Sequence, residues 1–271
     1  MSSRMDKVDV VILAGAPAGD FAESMEGNPV SRALIPVAGK TMLQWELEAM
    51  RGAQSVSRIY VVGNVPEDGV DRVVAPQEGF LSNIMAGISA ASEGGAAKAL
   101  LATSDIPMVT PESIDDFVRR ALEAEADFCY PIVPKEECVR KYPGMRRTYL
   151  KLREGTFSGG NMVLVSVDFV LRNRDSIARA YAARKQPLRL AGMIGYGVLA
   201  RVLLAQLIWP GAVNAPYLES AVGRVLNGRV RAVITDHAEI CEDVDRPEEL
   251  AEVEKALGRV EGRVGANTGH N

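Results

Sequence analysis

Asp105 stands in the run Thr103-Ser104-Asp105-Ile106-Pro107, directly after the apolar stretch 98–103. A carboxylate just past the carboxyl end of a parallel strand lies in the crevice where open α/β sheets bind ligands. Such a group suits Mg²⁺ held by one or two side chains plus substrate phosphates, although an aspartate before proline also caps turns. A second acidic run, Glu242-Asp243-Val244-Asp245-Arg246-Pro247-Glu248, lies before the last helical pattern. Asp245 and Glu248 fit the N-cap and N3 positions of that helix, and a cap aspartate can still turn one oxygen to a metal. A third candidate is the small-residue loop Leu13-Ala14-Gly15-Ala16-Pro17-Ala18-Gly19. It matches neither the dinucleotide fingerprint nor the P-loop, yet small residues after a strand let backbone N–H groups approach a phosphate.

These candidates need a scaffold. Val8–Ala14 is apolar and rich in β-branched residues, as a buried central strand is. Thr41 and Gln44 form a capping box ahead of Leu43, Leu47 and Met50 at helical spacing. Strands are expected at 58–62, 98–103, 128–133 and 230–235, and helices at 81–92, from Thr110-Pro111 to about Glu125, and at 247–257. Strands alternating with helices give a three-layer, mostly parallel α/β sheet. From Arg147 the pattern changes: 149–152 and 161–165 flank Glu154-Gly155 and Gly159-Gly160 and read as antiparallel strands of an inserted hairpin, and 168–228 reads as helical. One domain over 1–258 carrying this insertion, then a flexible tail at 259–271, is the expected organisation.

Composition narrows the function. The 271 residues are 47% hydrophobic and 24% charged with a net charge of −4, the mixture of a soluble globular chain. Without a basic field, nucleic acid is excluded as the main partner. No apolar run approaches the ~20 residues that span a bilayer, so no membrane partner is expected. Three scattered cysteines make no disulfide framework and point to the cytoplasm. The charge is segregated: residues 135–153 hold seven basic side chains against Glu136 and Glu137, whereas 236–255 hold nine carboxylates against Arg246 and Lys255. A basic insertion facing an acidic strand end suits an anionic small molecule and a divalent metal.

Taken in order, Leu13-Ala14-Gly15, Arg32–Leu43 (RALIPVAGKTML), Gly79–Gly87 (GFLSNIMAG), Ser104-Asp105-Ile106-Pro107 and Asp243–Leu250 (DVDRPEEL) resemble the MobA-like NTP transferases. These are nucleotidyltransferases of the Rossmann-like GT-A fold. The resemblance implies transfer of an NMP group from an NTP to a small anionic, phosphorylated acceptor, with release of pyrophosphate. It implies that Leu13, Ala14, Gly15 and Ala16 cradle base and phosphates, that Ser82, Asn83 and Ser104 lie near the nucleoside, and that Asp105, Asp243 and Asp245 hold Mg²⁺. Such catalysis is positioning plus charge neutralisation; it needs no protein nucleophile, in keeping with a chain whose only histidines are His237, read as an ordinary surface residue, and His270 in the tail.

The loop departs from the family pattern: Ala16-Pro17 interrupts it, no arginine lies between Pro17 and Arg32, and Arg32 stands where the family has lysine. Arg32, Arg147 and Lys151 are the candidate catalytic cations, with Arg146 and Lys185 as further basic groups, and Thr156, Gly160, Asn161 and Lys185 are assigned to the acceptor side. The apolar helix 198–208 would form a lid or a homodimer contact. Two other functions stay open: a nucleotide-binding regulator without turnover, suggested by the altered loop, and a GT-A glycosyltransferase using Asp243-Val244-Asp245. The position of that motif near the C-terminal end speaks against the second.

Overall fold

The computed structural model describes residues 6–15, 31–66, 68–183 and 186–267. Ala16 and Lys185, two of the candidate site residues, and the interrupted part of the small-residue loop lie outside the described residues. The chain opens with β1 (Val8–Leu13), every residue of which is buried. A small hairpin, β2 (Pro36–Val37) and β3 (Lys40–Thr41), leads into α1 (Met42–Gly52). The capping box closes the start of α1 as expected: Thr41 accepts from the Gln44 N–H, and the Gln44 side chain accepts from the Thr41 N–H at 2.8 Å. Next come β4 (Val56–Val62), β5 (Arg72–Val74), α2 (Phe80–Glu93) and β6 (Lys98–Thr103). Then α3 (Pro111–Glu123) starts on the Thr110 cap with proline at its first turn, followed by β7 (Phe128–Pro134) and α4 (Lys135–Lys141).

Among the described residues one mixed sheet of nine strands forms the centre, in the order β5-β4-β1-β6-β10-β7-β9-β8, with β11 (Val230–Ile234) also on β7. β8 (Leu150–Leu152) and β9 (Gly155–Gly159) form an antiparallel hairpin. Here the sequence reading needs correction. The apolar strand β10 (Met162–Ser166) is no part of that hairpin but runs antiparallel between β6 and β7 in the main sheet. Its unbroken Met-Val-Leu-Val run is the composition of a strand covered on both faces. The edge strand β5 and the β2–β3 hairpin, three and two residues per strand, were too short to leave a pattern in the sequence.

The segment read as helical is so: α5 (Val167–Arg172), α6 (Arg174–Ala183), α7 (Pro187–Ile194), α8 (Tyr196–Leu207) and α9 (Ala215–Leu226) precede β11. The last helix, α10 (Leu250–Asn267), continues past Gly258, where a flexible tail was expected. No helix among the described residues is long and apolar enough to cross a membrane.

Two apolar layers sandwich the sheet. Leu43, Leu47 and Met50 of α1 with Ile114, Phe117 and Val118 of α3 cover one face; Met85 and Ile88 of α2 with Phe169 and Leu226 cover the other. Phe117 is fully buried, and truncating such a side chain to alanine costs roughly 3–5 kcal/mol. α2 reaches its sheet through Gly87, where a Cβ would stand 2.3 Å from Val11 Cγ1. That close approach brings the start of α2 beside the carboxyl ends of β1 and β6.

Candidate active site

The end of β6 and the segment between β11 and α10 are joined by one backbone bond: the Val244 N–H donates to the Asp105 carbonyl at 2.9 Å. Asp243 and Asp245 flank that amide, so both side chains are delivered to Asp105. One oxygen from each of Asp105, Asp243 and Asp245 lies within 4.8 Å of the others. Asp105 Oδ1 is buried without a hydrogen-bond partner. Burial raises the pKa of this carboxyl, and the neighbouring Asp243 adds to the rise against a Thr103 hydrogen bond and the Arg32 charge. A crowded set of hard oxygen donors, one of them unsatisfied, fits a divalent cation such as Mg²⁺. Asp245 does not cap α10 as the sequence suggested. Glu249, not Glu248, accepts from the Asp245 and Arg246 N–H groups at 2.9 and 3.2 Å, which leaves the Asp245 carboxylate to face the cluster.

A cavity of about 340 Å³ opens beside Asp105, lined by Leu13, Gly15, Asn83 and Ser104 among the expected residues and by Gln77, Gly79 and Phe80. Ala14 is buried behind it and fixes the loop: its N–H donates to the Val62 carbonyl and its carbonyl accepts from Ser31 Oγ at 2.7 Å. The Asn83 side chain accepts from the Gln77 N–H at 2.6 Å. α2 begins at Gly79, with φ of 88° and no side-chain cap, so its first amide groups and the positive end of its dipole are left to an anion. Ser82 is exposed and outside this lining. One residue along a helix turns the side chain by about 100°, and Asn83 takes the inward direction. Over the helix start, Phe80 stacks on Tyr181 of α6 at 5.4 Å between ring centroids.

On the other side of the carboxylates a cavity of about 780 Å³ is lined by Arg146, Arg147, Tyr149, Asn161, Asp243 and Asp245, among others. Tyr130, Ser158 and Arg246 also line it and were not singled out in the sequence. Tyr130 and Ile132 share this face because alternate strand residues point the same way.

Arg147 is a tie beam rather than a loose cation. Its Nε donates to Glu242 Oε2 at 2.9 Å, and Nη1 pairs with Asp243. Burial opposes its charge, but Glu242 and Asp243 outweigh it and raise its pKa. Glu242 is itself fully buried, and burial pushes it up to about 7 despite Arg147. Arg32 lies within the cluster, 3.2 Å from Asp105 and 2.6 Å from Asp245. Burial works against its charge and the two aspartates overcome it, so its pKa is raised.

The remaining candidates make contacts that tie the fold together. Lys151 donates from Nζ to the Gln206 carbonyl at 2.9 Å, tying the hairpin to α8. Thr156 is its cross-strand partner and lines neither cavity. Gly160 is a packing glycine, since a Cβ there would sit 2.7 Å from Ile240 Cγ2. Asn161 bridges segments: its N–H donates to the Ile240 carbonyl and its Nδ2 to the Cys241 carbonyl. His237 is no ordinary surface residue. It is half-buried, 3.2 Å from Glu239, which is also paired with Lys141.

Comparison with known proteins adds an independent view. The model of the MobA-like NTP transferase domain matches residues 10–191. A hypothetical transferase from Thermus thermophilus is 33% identical, with a TM-score of 0.77, covering 90% of this chain and 99% of that one. The chain belongs to the MobA-like NTP transferase family. This family match starts within β1, covers α2 and Asp105 and ends within α7, short of Asp243 and Asp245. More distant structures share the fold. A CMP-2-keto-3-deoxy-manno-octonic acid synthetase complexed with CTP is 12% identical with a TM-score of 0.56, covering 94% of this chain and 99% of that one. A 2-C-methyl-D-erythritol 4-phosphate cytidylyltransferase, also from Thermus thermophilus, is 17% identical with a TM-score of 0.52, covering 93% of this chain and 99% of that one. A search of curated proteins found no match.

Proposed function

We propose that this MobA-like NTP transferase moves an NMP group from an NTP to a small anionic acceptor, releasing pyrophosphate with the help of Mg²⁺. The observation that carries this reading is the place of the carboxylates. Asp105 lines the smaller cavity, while Asp243 and Asp245 line the larger one, and the three converge. The smaller cavity, with the small-residue loop and the uncapped start of α2, takes the nucleotide. The larger, with Arg146, Arg147 and Arg246 on its wall, takes the acceptor. A bound Mg²⁺ would neutralise charge on the phosphates and on the departing pyrophosphate. The protein's part is to hold the carboxylates: Val244 fixes their backbone and Arg147 fixes Asp243.

Three free, buried cysteines support a reducing, cytoplasmic setting. The exposed row Tyr196, Leu203, Leu207, Ile208 and Trp209 on and after α8 supports a homodimer contact through the helical insertion.

Pyrophosphate release should be measured with each NTP, Mg²⁺ and a panel of phosphorylated acceptors, for the natural chain and Asp105→Asn. Release that falls at least ~100-fold in the variant is expected, since removing a metal ligand removes several kcal/mol of charge stabilisation. Tight NTP binding with no turnover across the panel would replace the enzyme with a nucleotide-binding regulator.

A further inference from the structure

The carboxylate cluster already holds a cation of the protein's own. Nη1 of Arg32 bridges Asp105 Oδ2 at 3.2 Å and Asp245 Oδ1 at 2.6 Å, and those two carboxylates converge with Asp243. A single nitrogen thus makes both contacts. An arginine in a durable ion pair usually engages its fork, two nitrogens on two oxygens. Arg147 shows the contrast in the same site, with Nε, Nη1 and Nη2 all directed to Glu242 and Asp243. The Arg32 contact leaves its own Nε and Asp105 Oδ1 buried without partners. Each unmet group carries a desolvation penalty that a better partner would relieve. For Asp105 Oδ1 that partner is a metal ion; for the Arg32 fork it is a phosphate, whose oxygens match two parallel N–H donors.

We infer that Arg32 is a placeholder for the divalent cation, drawn off by the triphosphate so that metal and nucleotide load together. The inference rests on the nucleotidyltransferase reading. The bare metal ion has to displace a guanidinium and return it to water. The metal arriving with a triphosphate displaces the same group onto phosphate oxygens. The difference is a coupling free energy, and it is reciprocal: nucleotide tightens metal by the factor by which metal tightens nucleotide. The arginine here, in place of a lysine point charge, suits the exchange because its planar fork serves both anions.

The test is Mn²⁺ binding to the full chain, followed by electron paramagnetic resonance of the free ion, with and without a non-hydrolysable NTP analogue. Without nucleotide, Arg32→Met is expected to bind Mn²⁺ at least ten-fold tighter than the natural chain. The analogue should tighten Mn²⁺ at least ten-fold in the natural chain and much less in the variant. Arg32→Lys, which keeps the charge and loses the fork, should fall between the two and decides the matter if the methionine variant does not fold. Equal affinity of the natural chain and both variants for Mn²⁺ alone, with binding still lost in Asp105→Asn, would overturn the placeholder and leave the metal site standing. Mn²⁺ binding that Asp105→Asn does not alter, with or without nucleotide, would overturn the metal site and the placeholder with it.

Discussion

Removing Arg147 should destabilise the protein in a pH-dependent way, and the structure gives the size. Glu242 is fully buried and sits at about 7, against 4.5 for a free glutamate. At ~1.4 kcal/mol per pH unit, ionising it costs the folded chain roughly 3 kcal/mol. Because the folded value is raised, the folded state binds the proton more tightly than the unfolded one. The stability from that proton is complete below pH 4.5 and lost as pH rises through about 7. Arg147, 2.9 Å away, is the charge that makes the ionised form tolerable. In Arg147→Met the buried carboxylate loses that partner, and breaking such a pair costs roughly 3–5 kcal/mol at pH 8. At pH 5 the carboxyl is protonated in both folded chains, and the loss shrinks to the hydrogen bonds and the remaining pair with Asp243, roughly 1–2 kcal/mol. Urea unfolding followed by circular dichroism in metal-free buffer at both pH values measures the difference. Adding Glu242→Gln should return about 2 kcal/mol at pH 8. An equal loss at pH 5 and pH 8, or no rescue by glutamine, would refute the reasoning.

A methyl group at Gly15 would stand 2.9 Å from Asn83 Nδ2; Gly15→Ala should therefore weaken nucleotide binding about ten-fold, or ~1.4 kcal/mol, by calorimetry. His237 is raised first by its hydrogen bond to Glu239, so its stabilisation is present below pH 6.5 and lost as pH rises through the raised value. The unfolding midpoints of His237→Gln and the natural chain should accordingly differ at pH 5.5, by no more than ~1 kcal/mol, and converge at pH 9. Leu207 is 79% exposed, and Leu207→Glu should convert a dimer formed through α8 to monomer in sedimentation velocity without changing the melting temperature.

What could be read from sequence divides along physical lines. β1, α1 and α3 carry their signals within a few residues, as β-branched runs or capping boxes, and the structure repeats them. The partner of a strand carries no such signal, because the two-residue period is the same whichever neighbour it pairs with; β10 is antiparallel as read, but its neighbours are β6 and β7, far back in the chain, and not the adjacent hairpin strand. Asp105, Asp243 and Asp245 were recognisable as candidates by type and place in the chain. The backbone bond that gathers them spans residues 105 and 244 and leaves no trace in local spacing. Arg147 was visible as a charge, but its engagement by Glu242 and Asp243 could not be, since those partners lie a hundred or so residues away in the chain. Gln77 and Gly79 sit in an irregular connection between β5 and α2, where no periodicity points inward.

The hydrogen bond from Val244 to Asp105 also sets an order of events during synthesis. The chain is synthesised from its N-terminal end, and β1, β6 and the start of α2 emerge well before residue 244. Asp105 and the lining of the smaller cavity are thus synthesised while Asp243 and Asp245, the other two members of the carboxylate cluster, are still untranslated. Only when β11 has docked on β7 does the following segment carry Asp243 and Asp245 to the open strand ends. The carboxylate cluster is among the last features the growing chain can complete, so a product that ends before residue 243 lacks two of its three members.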